Sequence, residues 1–162
     1  MKKLYKLVAL LLFVQLHVYA QSITPKPIEK LPDWALGPFI RPAGINPVIS
    51  PDSSSSFYDP MQKRQVDWES NDTFNPAAAV KNGKIYVLYR AEDKSGIAIG
   101  HRTSRIGLAE SRDGLSMKRT GKPVLFPGED GQQEFEWTGG CEDPRVAVTE
   151  DGTYLMLYTQ WN

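Results

Sequence analysis

Asn75 and Asp143 are each followed by proline, each opens a strand-like segment, and lie 68 positions apart. A carboxylate at one such position and an amide at the next would converge on one pocket. The prolines fix the approach angle and remove a backbone donor that would otherwise need a partner. The plain alternative is that both residues cap turns, as Asx-Pro often does. The stretch Trp137-Thr138-Gly139-Gly140-Cys141-Glu142-Asp143-Pro144-Arg145 adds an aromatic, two glycines, two acids and an arginine within nine residues. Paired glycines admit close approach of backbone to a ligand, and tryptophan offers a stacking face for a sugar ring. Glu142 and Asp143 are adjacent, so in a regular strand they point to opposite faces and do not form a catalytic pair with each other. One of them then faces the pocket while the other pairs with a basic side chain. Tyr89-Arg90-Ala91-Glu92-Asp93 is a second polar cluster, in which Arg90 could hold a sugar hydroxyl or a carboxylate, or form a surface salt bridge. Arg105 is a further candidate, whereas His101 reads as a loop residue and Ser111 and Asp113 as turn residues. There is no glycine-rich phosphate loop, no metal-ligand spacing and no nucleophile elbow.

The elements that must position these groups are short strands. Ala77–Val80, Lys84–Arg90, Arg105–Glu110 and Met117–Leu125 are rich in β-branched or aromatic residues, and Asn82-Gly83, Asp113-Gly114 and Gly121 with Pro123 punctuate them. NPAAAVKNGKIYVLYR from Asn75 recurs as DPRVAVTEDGTYLMLYT from Asp143, with Pro76, Ala79, Val80, Gly83 and Tyr89 matching Pro144, Ala147, Val148, Gly152 and Tyr158. Four antiparallel strand candidates per repeat is the pattern of a β-propeller blade. Residues 21–73 hold eight prolines and the run Ser53–Ser56, and read as an extended arm with one or two short strands in which Trp34, Leu36, Phe39 and Ile40 need an apolar surface. Residues 74–162 then form the first blade and the start of a second. With no strand to close a ring, the chain is expected to be the N-terminal piece of a longer propeller.

Met1 to Lys6 is cationic, Leu7 to Val18 is apolar over twelve residues, and Val18-Tyr19-Ala20 ends in a small residue. This is the pattern of a signal peptide over residues 1–20, too short for a membrane span, with cleavage before Gln21 and a secreted or periplasmic product. Removing Lys2, Lys3 and Lys6 leaves 16 basic residues against 19 acidic, a net charge of about −3, which argues against a nucleic-acid partner. At 41% hydrophobic and 23% charged, the composition excludes a disordered chain. The single cysteine, Cys141, excludes an internal disulfide framework and a cysteine-based zinc site.

In order, WALGPFIRP, FNPAAAV, YVLYRAED, SRIGLAESRDG, GGCEDPR and YTQWN resemble the N-terminal part of glycoside hydrolase family 130, over residues 34–162. The resemblance implies a five-bladed β-propeller, present here as the arm plus about one and a half blades. It also implies an inverting enzyme of β-mannosides, either a β-mannosidase or a phosphorylase. Asp143 corresponds to the general acid, acting through a mannose hydroxyl, and Asn75 and Arg90 correspond to residues of the −1 sugar subsite. Glu142, Arg145, Trp137 and Arg105 complete the candidate sugar-binding set. Many members carry serine where Pro76 stands, so a hydroxyl contact from that position is missing. No metal or organic cofactor is implied, only inorganic phosphate as co-substrate if the enzyme is a phosphorylase. The phosphate-binding residues or the general base are expected beyond Asn162, so the chain alone is expected to be inactive. Its partner is a β-mannoside oligosaccharide or glycan, and export favours hydrolysis, because a sugar phosphate released outside the cytoplasm is lost to the cell. A non-catalytic sugar-binding propeller is the rival reading. An acid must hold a proton to start the cycle, so the pKa of Asp143 is expected to be raised.

Overall fold

The computed structural model describes residues 30–98 and 100–162, so the leader and its cleavage position lie outside the described residues. The chain divides into two compact units, Met1–Ile40 and Arg41–Asn162. In the first, the described residues form neither helix nor strand. A turn is closed by the Ala35 N–H donating to the Pro32 carbonyl at 2.9 Å, and Trp34, Leu36, Phe39 and Ile40 are all exposed.

The second unit is all-β apart from one helical turn. A small hairpin joins β1 (Phe57–Asp59) to β2 (Arg64–Val66). The main sheet contains β3 (Asp72–Lys81), β4 (Lys84–Glu92), β5 (Ser104–Ser111), β6 (Lys118–Arg119), β7 (Gly140–Val148) and β8 (Tyr154–Trp161), with α1 (Gln133–Glu136) before β7. Its order is β3-β4-β5-β7-β8, with β6 on β5. Every pairing is antiparallel except β5 with β7, which meet in parallel at the single pair Ser104 and Gly140. Asn82 and Gly83 turn β3 into β4 with φ of 52° and 70°, the left-handed pair that a two-residue hairpin turn demands.

One expectation needs correction. Met117–Leu125 is not a full strand: only Lys118–Arg119 pairs with β5, and Leu125 makes one isolated bridge to Ile106. Gly121 and Pro123 interrupt the ladder between them. Residues 41–73 carry the two short strands β1 and β2 and contribute to the core of the second unit. Trp68 is fully buried in a cluster with Val66, Tyr89, Ala91 and Ala109, and Ile49 and Phe57 pack against it. The Trp68 and Tyr89 rings lie 6.2 Å apart. Gly107 makes room for both: a Cβ there would sit 2.4 Å from Tyr89 Cζ and 2.7 Å from Trp68 Cη2.

Ion pairs tie the hairpin to the sheet. The Arg105 guanidinium is fully buried between Asp59, which accepts from Nε at 3.1 Å and also from Nη2, and Asp93, which accepts from Nη1 at 2.8 Å. Removing one member would strand a buried charge, which typically costs about 3–5 kcal/mol.

Candidate active site

The register of β3 on β4 slips between Phe74 and Ala77, and that of β7 on β8 slips between Glu142 and Arg145. Asn75 and Asp143 sit in these slips with φ of 44° and 47°, a left-handed backbone that Asn and Asp adopt more readily than other non-glycine residues. Each bulge re-aims one side chain out of the strand's alternation. As a result the Asn75 amide Nδ2 donates to Asp143 Oδ1 at 2.9 Å, across 68 residues of sequence.

Arg90 lies beneath this pair with 7% of its side chain exposed. Its Nη1 donates to Asp143 Oδ1 at 3.3 Å and to Glu142 Oε2 at 2.9 Å. Nη2 pairs with Glu142 Oε1 at 2.7 Å and with Glu92 Oε1 at 2.7 Å, and Nε donates to Ser104 Oγ at 3.0 Å. The guanidinium carbon sits 4.6 Å from the centroid of the Phe74 ring, a cation–π contact. Glu92, fully buried, also receives Arg102 Nη1 at 3.3 Å, and that nitrogen donates to Asp72 Oδ2 at 2.6 Å. The cluster thus grades from a buried floor of Glu92 and Ser104 up to an accessible rim at Asn75 and Asp143. Phe74 and Pro76, either side of Asn75, line an open cleft of about 690 Å³ together with Arg41 and Asn46.

The bulge also corrects the expectation that Glu142 and Asp143 face apart, because both carboxylates accept from the same Arg90 nitrogen. Their proton affinities are driven in opposite directions. Burial is the largest influence on Asp143 and raises its pKa, but hydrogen bonds from Asn75 and Arg90 and the charges of Arg90 and Arg145 outweigh it, so the carboxyl is held below its ordinary value. This reverses the expected direction. Glu142 is raised by burial above all, with Asp143 and Glu92 pushing the same way against Arg90 and Ser104.

The remaining candidates divide. Arg105 does not reach the site, since its guanidinium is consumed by Asp59 and Asp93. Trp137 lines a different cleft, of about 440 Å³, with Asp130, Gly131, Gln133 and Glu134. Arg145 is exposed, and its Nη1 donates to the Pro144 carbonyl at 2.8 Å. Gly139 and Gly140 are small for the protein's own packing and not for a ligand. A Cβ at Gly140 would lie 2.1 Å from the Ser104 carbonyl oxygen, and one at Gly139 would lie 1.9 Å from Trp161 Cδ1.

A family model described as beta-1,4-mannooligosaccharide phosphorylase, Glyco_hydro_130, matches residues 50–162. The chain belongs to glycoside hydrolase family 130. Two relatives from Thermoanaerobacter sp. (strain X514) are a 1,2-beta-oligomannan phosphorylase, 41% identical over 61% of this chain, and a beta-1,2-mannobiose phosphorylase, 34% identical over 59%. The chain spans about a third of the length of each: 32% of that protein in both cases. A glycosyl hydrolase from Bacteroides ovatus superposes with a TM-score of 0.78 at 63% identity, over 82% of this chain and 37% of that one. A second structure gives the same values and comes from work stating that this family of mannoside phosphorylases contains glycoside hydrolases that target β-1,2 mannosidic linkages in Candida mannan.

Reading the sequence alone misses Ser104, because a lone serine gives no local signal, and names Glu92 only as one member of a polar cluster. It also misses Glu136, apart from the cluster: it is buried and accepts from the Tyr158 hydroxyl at 2.6 Å, as Glu69 accepts from Tyr89 at 2.8 Å. The matched tyrosines of the repeat could have prompted a search for that second pair.

Proposed function

We propose that this chain carries the sugar-recognition and acid residues of an exported, inverting enzyme that hydrolyses β-mannosides, on the first blades of a five-bladed propeller. The observation that carries the reading is the convergence of Asn75 and Asp143, each on its own left-handed bulge, above one guanidinium. An amide and a carboxylate at an accessible rim, with an arginine just beneath, supply the donors and acceptors that a sugar's hydroxyls require.

In the substrate-free arrangement Asp143 rests ionised. A sugar hydroxyl entering at the rim takes over the hydrogen bonds from Asn75 and Arg90 and expels water. The influences that lower the pKa of Asp143 are then withdrawn and burial, which raises it, is reinforced. Asp143 takes up a proton from solvent as the sugar enters and passes it to a mannose hydroxyl, whose own proton goes to the departing glycosidic oxygen. Water attacks from the opposite face, and an inverting geometry places the base about 6.5–9.5 Å from the acid.

Hydrolysis is favoured by the signal-like leader and by the 63% identity to a structure from work on family hydrolases. The second reading, phosphorolysis with inorganic phosphate as co-substrate, is supported by the phosphorylase relatives at 41% and 34% identity. The test is turnover of β-1,2-mannobiose by the full-length protein with and without phosphate. Phosphate-independent release of free mannose is expected. Strictly phosphate-dependent formation of mannose 1-phosphate would replace the first reading with the second.

A further inference from the structure

Ser104 is fully buried where β5 meets β7, and its backbone N–H donates to the Gly139 carbonyl at 2.7 Å. Three groups crowd its hydroxyl: Arg90 Nε at 3.0 Å, Glu92 Oε1 at 3.3 Å and Glu142 Oε1 at 3.2 Å. A serine hydroxyl has one proton and two lone pairs. The Arg90 N–H takes one lone pair, and the single proton serves only one of the two carboxyls. The other oxygen–oxygen approach needs a proton supplied by the carboxyl itself. Glu92 has two guanidinium partners, Arg90 and Arg102, whereas Glu142 has Arg90 alone.

We propose that Ser104 is the positioning residue of this site: Glu142 carries a proton that it donates to Ser104 Oγ, the Ser104 proton goes to Glu92, and the Arg90 charge is shared between Glu92 and Asp143. The significance of the arrangement for sugar turnover rests on the functional reading above. The charged groups around Ser104, Glu92 and Glu142 are Arg90 from β4, Arg102 before β5 and Asp143 from β7, with Asp72 on Arg102 and Asn75 and Arg145 on Asp143. Burial shifts Glu142 in the direction this hydrogen count requires. As pH rises, the Glu142 proton leaves to solvent water, Ser104 can satisfy only one of two anions, and Arg90 is drawn from Asp143 toward Glu142.

The test is a ¹³C NMR titration of glutamate side-chain carboxyls in the full-length protein, with Glu142 assigned by its loss in Glu142→Gln. Glu142 is expected to titrate above an ordinary glutamate. Ser104→Ala removes the acceptor of its proton and should move that titration down, whereas Ser104→Thr, which keeps the hydroxyl, should restore it. Ser104→Cys, a weaker acceptor of similar size, should move it part-way and serves if alanine unfolds the protein. A wild-type Glu142 that titrates normally overturns the proposal. So does an upward move in Ser104→Ala, which would mean that Ser104 only donates to an ionised Glu142. If the carboxyl titrations behave as expected but the wild-type protein turns over no mannoside, the proton assignment stands and the functional reading falls.

Discussion

The β3–β4 and β7–β8 hairpins share one backbone plan and differ in what it carries. Each slips register at the same place, each holds a left-handed Asx followed by proline, and each has a tyrosine donating to a buried glutamate. At equivalent positions the first presents Phe74, Asn75 and Arg90, and the second Glu142, Asp143 and Thr159. The first hairpin thus supplies the cation and the amide, and the second supplies both rim acids. Neither is a site alone. A duplicated scaffold places side chains, and divergence at matched positions makes them complementary. The flanks differ too: β4 ends in four buried residues, whereas on β8 Leu155, Leu157 and Trp161 stay about half exposed.

The sharpest way to break this comparison is to remove the acid from the second hairpin. Asp143→Asn should reduce mannobiose turnover by the full-length protein about 10²- to 10⁴-fold, the usual cost of losing a positioned acid, and near-normal kcat would sink the assignment. Next in size is the support that only the first hairpin has. Arg105→Met should lower stability in chemical denaturation by about 3–5 kcal/mol, because it leaves Asp59 and Asp93 buried without a cation. Giving the first hairpin the chemistry of the second tests the complementarity itself. Asn75→Asp would set two carboxylates within hydrogen-bond distance, so the pKa of Asp143 should rise in an NMR titration and mannobiose binding should weaken.

A smaller contrast comes from the tyrosines. Tyr89→Phe leaves the fully buried Glu69 short of a donor and should cost about 1–3 kcal/mol, and Tyr158→Phe should cost less because Tyr158 is only partly buried. Equal losses would show that the two flanks are alike. The smallest effect is that of pH on the rim. The pKa of Asp143 is below the ordinary 3.8 in the folded state, so its stabilising contribution is complete above that value and fades as pH falls through the folded pKa. Glu142 has the opposite sign, so its contribution is present at low pH and is lost as pH rises through its raised value. The Asp143→Asn and Glu142→Gln stability profiles should therefore cross wild type in opposite senses.

Much of this was legible in the sequence. The Asn75 and Asp143 repeat, the Asn82-Gly83 turn and the role of Asp113, which accepts from the Leu115 and Ser116 amides, all depend on neighbours in the chain. Arg105 and the paired glycines were misread because their residue types suit a sugar site equally well, and only packing shows that other partners already hold them, while Trp137 lines a different cleft. The strand expected over Met117–Leu125 failed because Gly121 and Pro123, legible as turn signals, fall inside it.

By itself the sequence determined the strand class, the hairpins and the pair of Asx-Pro positions, since these rest on alternation, turn residues and short-range backbone preference. Only the tertiary structure decided that Glu142 and Asp143 share Arg90, 52 and 53 residues away. Only the tertiary structure set their proton affinities against each other, and only there does Ser104 become the joint between the hairpins. The physical reason is that a bulge overrides the alternation by which side chains are assigned to faces. A carboxyl's pKa, moreover, is fixed by burial and by the donors brought to it from distant strands, and no local run of residues encodes either.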